Sequence, residues 1–241
     1  RQILVIRGWQ DEICSQVVQP LGISWSDVSF FEQRLSVRGK VAGHGDAAWQ
    51  AQALWQDSDY VLVNFGGDAN SPLTALDSLL AMQALADTGE DTGLLLPVAK
   101  IQNPAYPVHL DYKGHPISFG HDKLGGKLDG SAQNSLEVAG SDGHASNADI
   151  YAYTNVGIRV YRASALAQAI ADIRAHYWDE TNGYAIPGND PEGHEFALDN
   201  VDALLAAQGR ARVLPIAKPP ELSPAKTFDE VPTFEAAIAT V

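Results

Sequence analysis

Residues 59–101 read DYVLVNF, GGDANSP, LTALDSLLAMQALAD, TGED and TGLLLPVAKI, and the fold class follows from this stretch. The first and last segments are short apolar runs typical of buried strands, whereas the third carries apolar residues at helical spacing. Glycine, proline and polar residues between the segments mark turns. A strand, a helix and a second strand in this order predict an α/β fold with parallel strands.

The same alternation continues on the N-terminal side. Residues 3–6 (ILVI) and 28–33 (VSFFEQ) predict strands, and residues 11–22 and 47–55 predict helices. Alternating strands and helices favour a mostly parallel, Rossmann-like central sheet with helices on both faces. The length allows either a single large α/β domain or two small ones, and we predict one domain over residues 1–241.

The middle of the chain has a different pattern. Residues 108–120 (VHLDYKGHPISFG) predict a β-hairpin with Lys113 and Gly114 at its tip. Residues 121–149 are crowded with Gly, Ser, Asp and Asn and lack periodicity, which predicts a long surface loop. Regular structure resumes with a strand over 150–161, helices over 163–177 and 195–210, and a strand over 211–217.

Composition narrows the classes of partner. The chain has 241 residues, 45% of them hydrophobic, which is enough for one substantial core. Its formal net charge of -14 repels nucleic acid and anionic membrane surfaces, so we expect neither as a partner. An anionic substrate therefore requires a local basic pocket.

The expected compartment is the cytoplasm. No apolar stretch is long enough to span a bilayer, and no basic start is followed by an apolar signal core. The single cysteine, Cys14, allows no intrachain disulfide and suits a reducing compartment. It falls within the apolar pattern of a helix, where it serves as a small hydrophobic residue.

Asp68 is the most informative candidate for chemistry. It follows a buried strand and two glycines, so its carboxylate is expected at the carboxyl end of the sheet, where open α/β sheets bind ligands. A carboxylate there can hold a magnesium ion that also contacts substrate phosphates. Alternatively, Asp68 only caps the following helix, for which Asn70 and Ser71 are equally well placed.

Residues 41–51 (VAGHGDAAWQA) place two glycines before a helix, so that backbone N–H groups can approach a base or a phosphate. Arg34, Arg38 and Lys40 supply positive charge nearby, although a mobile loop with solvated cations explains them better. Asn155 interrupts an apolar strand, and its amide suits either sugar hydroxyls or a neighbouring loop backbone. The histidine spacings match no zinc motif, and neither a nucleophile elbow nor a P-loop is present.

Taken in order, these segments resemble the sugar-phosphate nucleotidyltransferases, most closely the N-acetylglucosamine-1-phosphate uridylyltransferase domain. The resemblance spans nearly the whole chain and rests on the order of its motifs. They are a strand ending in Gln33, GHGDAAWQAQAL (43–54), VLVNFGGD (61–68), NPAYPVHLDYKGHPISFGHDK (103–123), TNVGIRVYRASAL (154–166), GHEFALDNVDALLAAQGR (193–210) and VLPIAKPPELSPAKTFDEV (213–231).

The resemblance implies a GT-A-like, nucleotide-diphospho-sugar transferase fold in which residues 103–123 form a hairpin on the substrate side. It also implies transfer of a nucleoside monophosphate from a nucleoside triphosphate to a sugar 1-phosphate, with Asp68 holding Mg²⁺. Lys226 corresponds to the second catalytic metal ligand. The other implied site residues are Gln33, Gly43, His44 and Gly67 for the nucleotide, and Asn155, Tyr106 and Lys123 for the sugar.

The chain departs from the family pattern at several positions. The family's N-terminal Gly-rich loop, which grips the triphosphate, is absent, so we expect the domain to be incomplete at its N-terminus. Lys226 stands where the family has Asn or Asp, Pro107 and Gly120 replace a sugar-contacting glycine and glutamate, and Gly66 is an added residue.

These departures keep two alternatives open. One is a non-catalytic relative that binds a sugar phosphate or a nucleotide. The other is a GT-A glycosyltransferase, although its usual acidic pair separated by one residue is here Asp68, Ala69 and Asn70. The sequence leaves the base, the sugar and the formation of a homo-oligomer open.

Overall fold

The structure of the chain is a computed structural model that describes residues 2–6, 8, 10–20, 22, 24, 26–36, 39–64, 72–102, 107–111, 113–119, 151–155, 157–187 and 195–215. Helices in these ranges are α1 (Gln10–Ile13), a π-helix (Cys14–Val18), α2 (Gly43–Gln50), α3 (Gln52–Trp55), α4 (Pro72–Asp87), α5 (Ala163–Tyr177) and α6 (Leu198–Ala207). Strands are β1 (Gln2–Ile6), β2 (Val28–Glu32), β3 (Tyr60–Asn64), β4 (Leu94–Gln102), β5 (Pro107–Leu110), β6 (Pro116–Phe119), β7 (Tyr151–Asn155), β8 (Ile158–Arg162), β9 (Trp178–Asp179), β10 (Gly183–Tyr184) and β11 (Ala211–Pro215).

The chain divides into two compact units. The first comprises Arg1–Asp59 and Ala163–Val201, and the second comprises Tyr60–Arg162 and Asp202–Val241. In the first unit, β1 and β2 pair in parallel, with Gln2 opposite Val28 and Ile6 opposite Glu32. A parallel pair requires a crossover connection, which α1 and the π-helix help to form. Cys14 lies buried in this crossover, and burial raises the pKa of its thiol.

The second unit is built on a mixed seven-stranded sheet. Its strands follow the order β3-β8-β4-β7-β5-β6, and β11 pairs with β4. The β4–β11 pair is parallel, whereas the other pairs along the sheet are antiparallel. The prediction of a mostly parallel sheet is therefore corrected to a mixed one.

The physical reason for the correction is the place of β8. Because β3 and β4 both pair antiparallel with β8, they run in the same direction, as the strand, helix and strand order predicts. They are not neighbours, however, since β8 lies between them. The strand predicted over 150–161 is also two strands, β7 and β8, separated by a break in which Gly157 has a φ of 80°.

Helix α4 covers one face of this sheet. Ala81 and Leu85 of the helix are fully buried against Leu95 of β4 and Val160 of β8. The residues Leu94 to Leu96 of β4 are all at most 4% exposed, as expected for a strand covered on both faces. The continuous apolar run Leu94 to Leu96 therefore corresponds to a central strand of the sheet.

Strands β5 and β6 form the predicted hairpin, with Lys113 and Gly114 in its turn. Gly114 has a φ of 80°, which suits glycine. The carboxylate of Asp111 accepts hydrogen bonds from the backbone N–H groups of His115 and Lys113, both at 2.8 Å. The His115 bond in particular lowers the pKa of Asp111 below its ordinary value, so Asp111 closes the turn as a carboxylate.

The loop predicted over 121–149 lies outside the described residues. Within the described part of the chain, no helix combines the length and the apolar character that crossing a membrane requires.

Candidate functional site

The parallel pair of β1 and β2 ends at a cavity of about 460 Å³ in the first unit. Its described lining consists of Glu32, Gln33, Arg34 and Leu35, which are the last residue of β2 and those that follow it. Gln33 extends the pairing of the two strands, because its backbone N–H donates to the Ile6 carbonyl at 2.9 Å. The carboxyl end of parallel strands is where α/β sheets bind ligands.

The side chain of Gln33 contacts the start of α2. Its Nε2 donates to the carbonyl oxygen of Gly43 at 3.0 Å. The structure therefore joins two of the residues that the resemblance assigns to the nucleotide, and the third, His44, follows Gly43 in the first turn of α2.

Gly43 and Gly45 permit a close approach by another part of the same unit. The Phe196 carbonyl accepts a hydrogen bond from the Gly45 N–H at 2.8 Å, and the Phe196 N–H donates to Ala42 at 2.8 Å. A Cβ atom on Gly43 would lie 2.6 Å from the Phe196 carbonyl oxygen. The backbone at these glycines was expected to approach a base or a phosphate. In the structure it approaches residue 196 instead, and this contact explains why both positions are glycine.

Replacing Gly43 by alanine should destabilise the first unit more than the same change at Gly39. Both glycines have a positive φ, 86° at Gly43 and 68° at Gly39, but only Gly43 would bring its Cβ against another group. We expect Gly43→Ala to lower the free energy of unfolding by about 1–3 kcal/mol more than Gly39→Ala, measured by chemical denaturation. Equal losses in the two variants would contradict the close contact.

His44 supports the start of α6. Its Nδ1 accepts a hydrogen bond from the backbone N–H of Leu198 at 2.9 Å, and its Nε2 lies 3.8 Å from Oδ2 of Asp199. Leu198 is the first residue of α6, and the first N–H groups of a helix have no partner within the helix. Because Nδ1 accepts, a neutral His44 carries its proton on Nε2.

Replacing His44 by alanine should therefore destabilise the N-terminus of α6 by about 1 kcal/mol, the usual cost of losing a helix cap. His44→Asn keeps an acceptor near the position of Nδ1 and should retain most of the stability. Hydrogen exchange of the Leu198 amide measures the effect directly. Unchanged exchange of this amide in His44→Ala would show that the bond contributes nothing.

Helix α2 also takes part in a buried polar network centred on Asp46. Asp46 is 2% exposed and accepts hydrogen bonds from Gln50 Nε2 at 2.6 Å and from the Tyr184 hydroxyl at 2.9 Å. Arg174 of α5 pairs with the same carboxylate at 3.3 Å and also donates to the Tyr184 oxygen. Burial, and then the charge of Asp46, raise the pKa of Tyr184, which therefore stays protonated and donates.

Aromatic rings enclose the Arg174 guanidinium. It lies 3.3 Å from the ring centre of Trp49 and 4.7 Å from that of Trp178, distances at which a cation is attracted to the ring faces. This network was not predicted from the sequence. The helical spacing of Asp46 and Gln50 could have indicated their contact, but Arg174 is 128 residues from Asp46 along the chain.

The remaining predicted site residues belong to the second unit. Asn155 is the last residue of β7 and pairs with Val98 of β4. Asp68, Gly67, Tyr106, Lys123 and Lys226 lie outside the described residues, as does Gly120. Among the residues that are described, no three His, Cys, Asp or Glu side chains come together in a way that could hold a metal ion.

Comparison with known proteins gives a match in fold. No protein family profile matches the sequence, and no curated protein matches it. Among solved structures, the chain is similar to a Bacillus anthracis protein assigned as a glucose-1-phosphate thymidylyltransferase and crystallised in complex with sucrose. The match has a TM-score of 0.57 and 10% sequence identity, and it covers 99% of this chain and 76% of that chain. The chain therefore has a nucleotidyltransferase-like α/β fold.

Proposed function

We propose that the chain is a nucleotidyltransferase domain that transfers a nucleoside monophosphate from a nucleoside triphosphate to a sugar 1-phosphate. The observation that carries the proposal is the fold shared over 99% of the chain with the assigned thymidylyltransferase. The name of that protein describes thymidylyl transfer to glucose 1-phosphate. The class of reaction is what we propose for this chain, and the proposal includes neither thymidine as the base nor glucose as the sugar.

The cavity at the end of β2 supports the nucleotide part of the proposal. Gln33 lines it with an amide whose Nε2 is directed to Gly43, and an amide is suited to the polar edge of a base. Arg34 lines the same cavity and brings a cation to it. A chain with a net charge of -14 needs such a local cation to attract a triphosphate.

The proposed reaction is a displacement at phosphorus. A phosphate oxygen of the sugar 1-phosphate attacks the α-phosphorus of the nucleoside triphosphate and forms a new P–O bond. The bond from the α-phosphorus to the oxygen that bridges to the β-phosphorus breaks, and pyrophosphate leaves with that electron pair. Such a step needs positioning and charge neutralisation more than covalent help from the protein.

We also propose Asp68 as a magnesium ligand and Lys226 as a direct contact to phosphate, since a lysine repels a metal ion. A bound magnesium ion would neutralise charge on the phosphates. Both residues lie outside the described part of the chain. Asn155, Tyr106 and Lys123 are the proposed contacts to the sugar phosphate.

A non-catalytic protein that binds a nucleotide or a sugar phosphate is the second candidate. Lys226 favours it, because this residue stands where the resemblance leads us to expect a metal ligand. Such a protein would bind its ligand without releasing pyrophosphate.

Binding of nucleoside triphosphates tests the shared part of both candidates. We expect calorimetry with ATP, CTP, GTP, UTP and dTTP to show one saturable site for at least one of them. Gln33→Leu should weaken that binding about tenfold, the effect of losing one or two hydrogen bonds, whereas Gln168→Leu on the exposed face of α5 should not. The absence of saturable binding for all five triphosphates would contradict the proposed function.

A further inference from the structure

The cavity wall consists of residues 32–35, which line the cavity at the end of β2. The side-chain amide of Gln50 in α2 forms hydrogen bonds to this wall. Its Oε1 accepts a hydrogen bond from the Arg34 backbone N–H at 2.8 Å, and its Nε2 donates to the Arg34 carbonyl oxygen at 3.2 Å. One side chain thus contacts both backbone groups of a single residue, as a neighbouring strand does. Two such bonds fix the direction of the backbone as well as its distance from the helix.

Gln50 is itself held in place by a buried group. Its Nε2 also donates to Asp46 Oδ2 at 2.6 Å, while Asp46 Oδ1 is held by Tyr184 and Arg174. A hydrogen bond to a buried carboxylate is stronger than one between neutral groups, and it restricts the rotamers of the donor. The position of Arg34 therefore depends on a rigid network inside the first unit.

The same backbone segment carries the side chains that the proposed function uses. Gln33 and Arg34 line the cavity, and the side chains of Arg34 and Leu35 are exposed rather than packed into a core. Gln33 is fastened to Gly43 at the N-terminal end of α2, and Arg34 is fastened to Gln50 at the last residue of the same helix. The wall is thus held at both ends of one helix.

We propose that Gln50 is a positioning residue of the nucleotide site, which acts by holding the Arg34 backbone and with it the cavity wall. The proposal rests on the proposed function for the identity of the ligand. It does not rest on that function for the hydrogen bonds, so the two can fail separately. Gln50 is not proposed to contact the substrate directly.

Three variants separate hydrogen bonding from packing and from general effects on helices. Gln50→Ala removes the amide, and Gln50→Met removes the hydrogen bonds but keeps a side chain of similar length. Gln168→Ala is the matched control, because Gln168 Nε2 donates to Asp172 Oδ1 at 2.8 Å over the same helical spacing on an exposed face. The two readouts are hydrogen exchange of the Arg34 amide and the dissociation constant of the triphosphate that the wild-type protein binds most tightly among ATP, CTP, GTP, UTP and dTTP.

We expect both Gln50 variants to increase exchange of the Arg34 amide and to weaken triphosphate binding about tenfold. Because they also lose the hydrogen bond to the buried Asp46, their thermal midpoint should lie below that of Gln168→Ala, so both readouts are taken well below the midpoint of every variant. Wild-type exchange of Arg34 in Gln50→Ala would overturn the proposal, and so would wild-type affinity in Gln50→Met. If the wild-type protein binds no triphosphate, the proposed function fails, and the exchange of Arg34 alone decides whether Gln50 positions the wall.

Discussion

Replacing Asp202 by alanine should lower the free energy of unfolding by about 3–5 kcal/mol. The Asp202 carboxylate is fully buried in the second unit, where it accepts hydrogen bonds from Arg159 Nε at 2.7 Å and from the Tyr161 hydroxyl at 2.5 Å. Arg159 is only 2% exposed, so the variant leaves a buried cation without the carboxylate that neutralises it. The cost arises because the remaining charge cannot regain its hydration.

Urea denaturation measures this loss, and Asp87→Ala provides the control. Asp87 lies exposed at the end of α4 and accepts a hydrogen bond from Gln83 at 3.0 Å. Exposed pairs of this kind contribute little, so the control should change the free energy of unfolding by less than about 0.5 kcal/mol. Similar losses of unfolding free energy in Asp202→Ala and Asp87→Ala would show that the ion pair between Arg159 of β8 and Asp202 of α6 does not stabilise the second unit.

Replacing Asp46 by alanine should have a comparable effect on the first unit, a loss of about 3–5 kcal/mol. The variant removes the acceptor of Tyr184 and Gln50 and the counter-charge of Arg174, which is 16% exposed at its side chain. Trp49 and Trp178 stack against Arg174, so their surroundings should change as well. Near-ultraviolet circular dichroism reports the tryptophan environments, and chemical denaturation reports the stability.

Two further variants give this prediction its controls. Tyr184→Phe removes one hydroxyl and leaves the ion pair, so it should cost about 1–2 kcal/mol. Asp172→Ala removes an exposed carboxylate of α5 that accepts a hydrogen bond from Gln168, and it should be nearly neutral. An Asp46→Ala protein as stable as Asp172→Ala would contradict the role of the buried network.

Local pattern predicts the single elements of this fold well. The apolar spacing predicts α5 with its observed bounds, Ala163–Tyr177, because its buried residues recur at helical intervals. The hairpin of β5 and β6 follows from its turn residues. Both features are decided by residues close together in the chain, and the sequence displays such residues directly.

The order of the strands depends on distant parts of the chain. Strand β8 separates β3 from β4, although nearly a hundred residues of sequence separate Asn64 from Ile158. Its β-rich composition predicts a strand but contains no information on its neighbours, because strand pairing is made by backbone groups that every residue has. The prediction of a mostly parallel sheet, which was based on the alternation of strands and helices, was wrong for this reason.

In the candidate site, too, contacts between residues distant in sequence could not be predicted. Resemblance in sequence led to Gln33, Gly43 and His44, and the structure brings them together at the end of β2 and the start of α2. Their partners Phe196 and Leu198 lie more than a hundred residues away along the chain. The contact of Gly43 with Phe196 and the hydrogen bond of His44 with Leu198 could therefore not be predicted. Asp46 and Arg174 were missed because a buried ion pair between distant helices leaves no local pattern.

Transfer of a nucleotidyl group to a sugar 1-phosphate, the activity that we propose for this protein, can be tested directly. The most direct measurement is pyrophosphate release by the full-length protein across nucleoside triphosphates and sugar 1-phosphates, with magnesium present and absent. We predict release that requires both substrates for at least one pair and that is abolished in Asp68→Ala. Binding of a triphosphate with no pyrophosphate release above the Asp68→Ala background, for every pair, would contradict the claim.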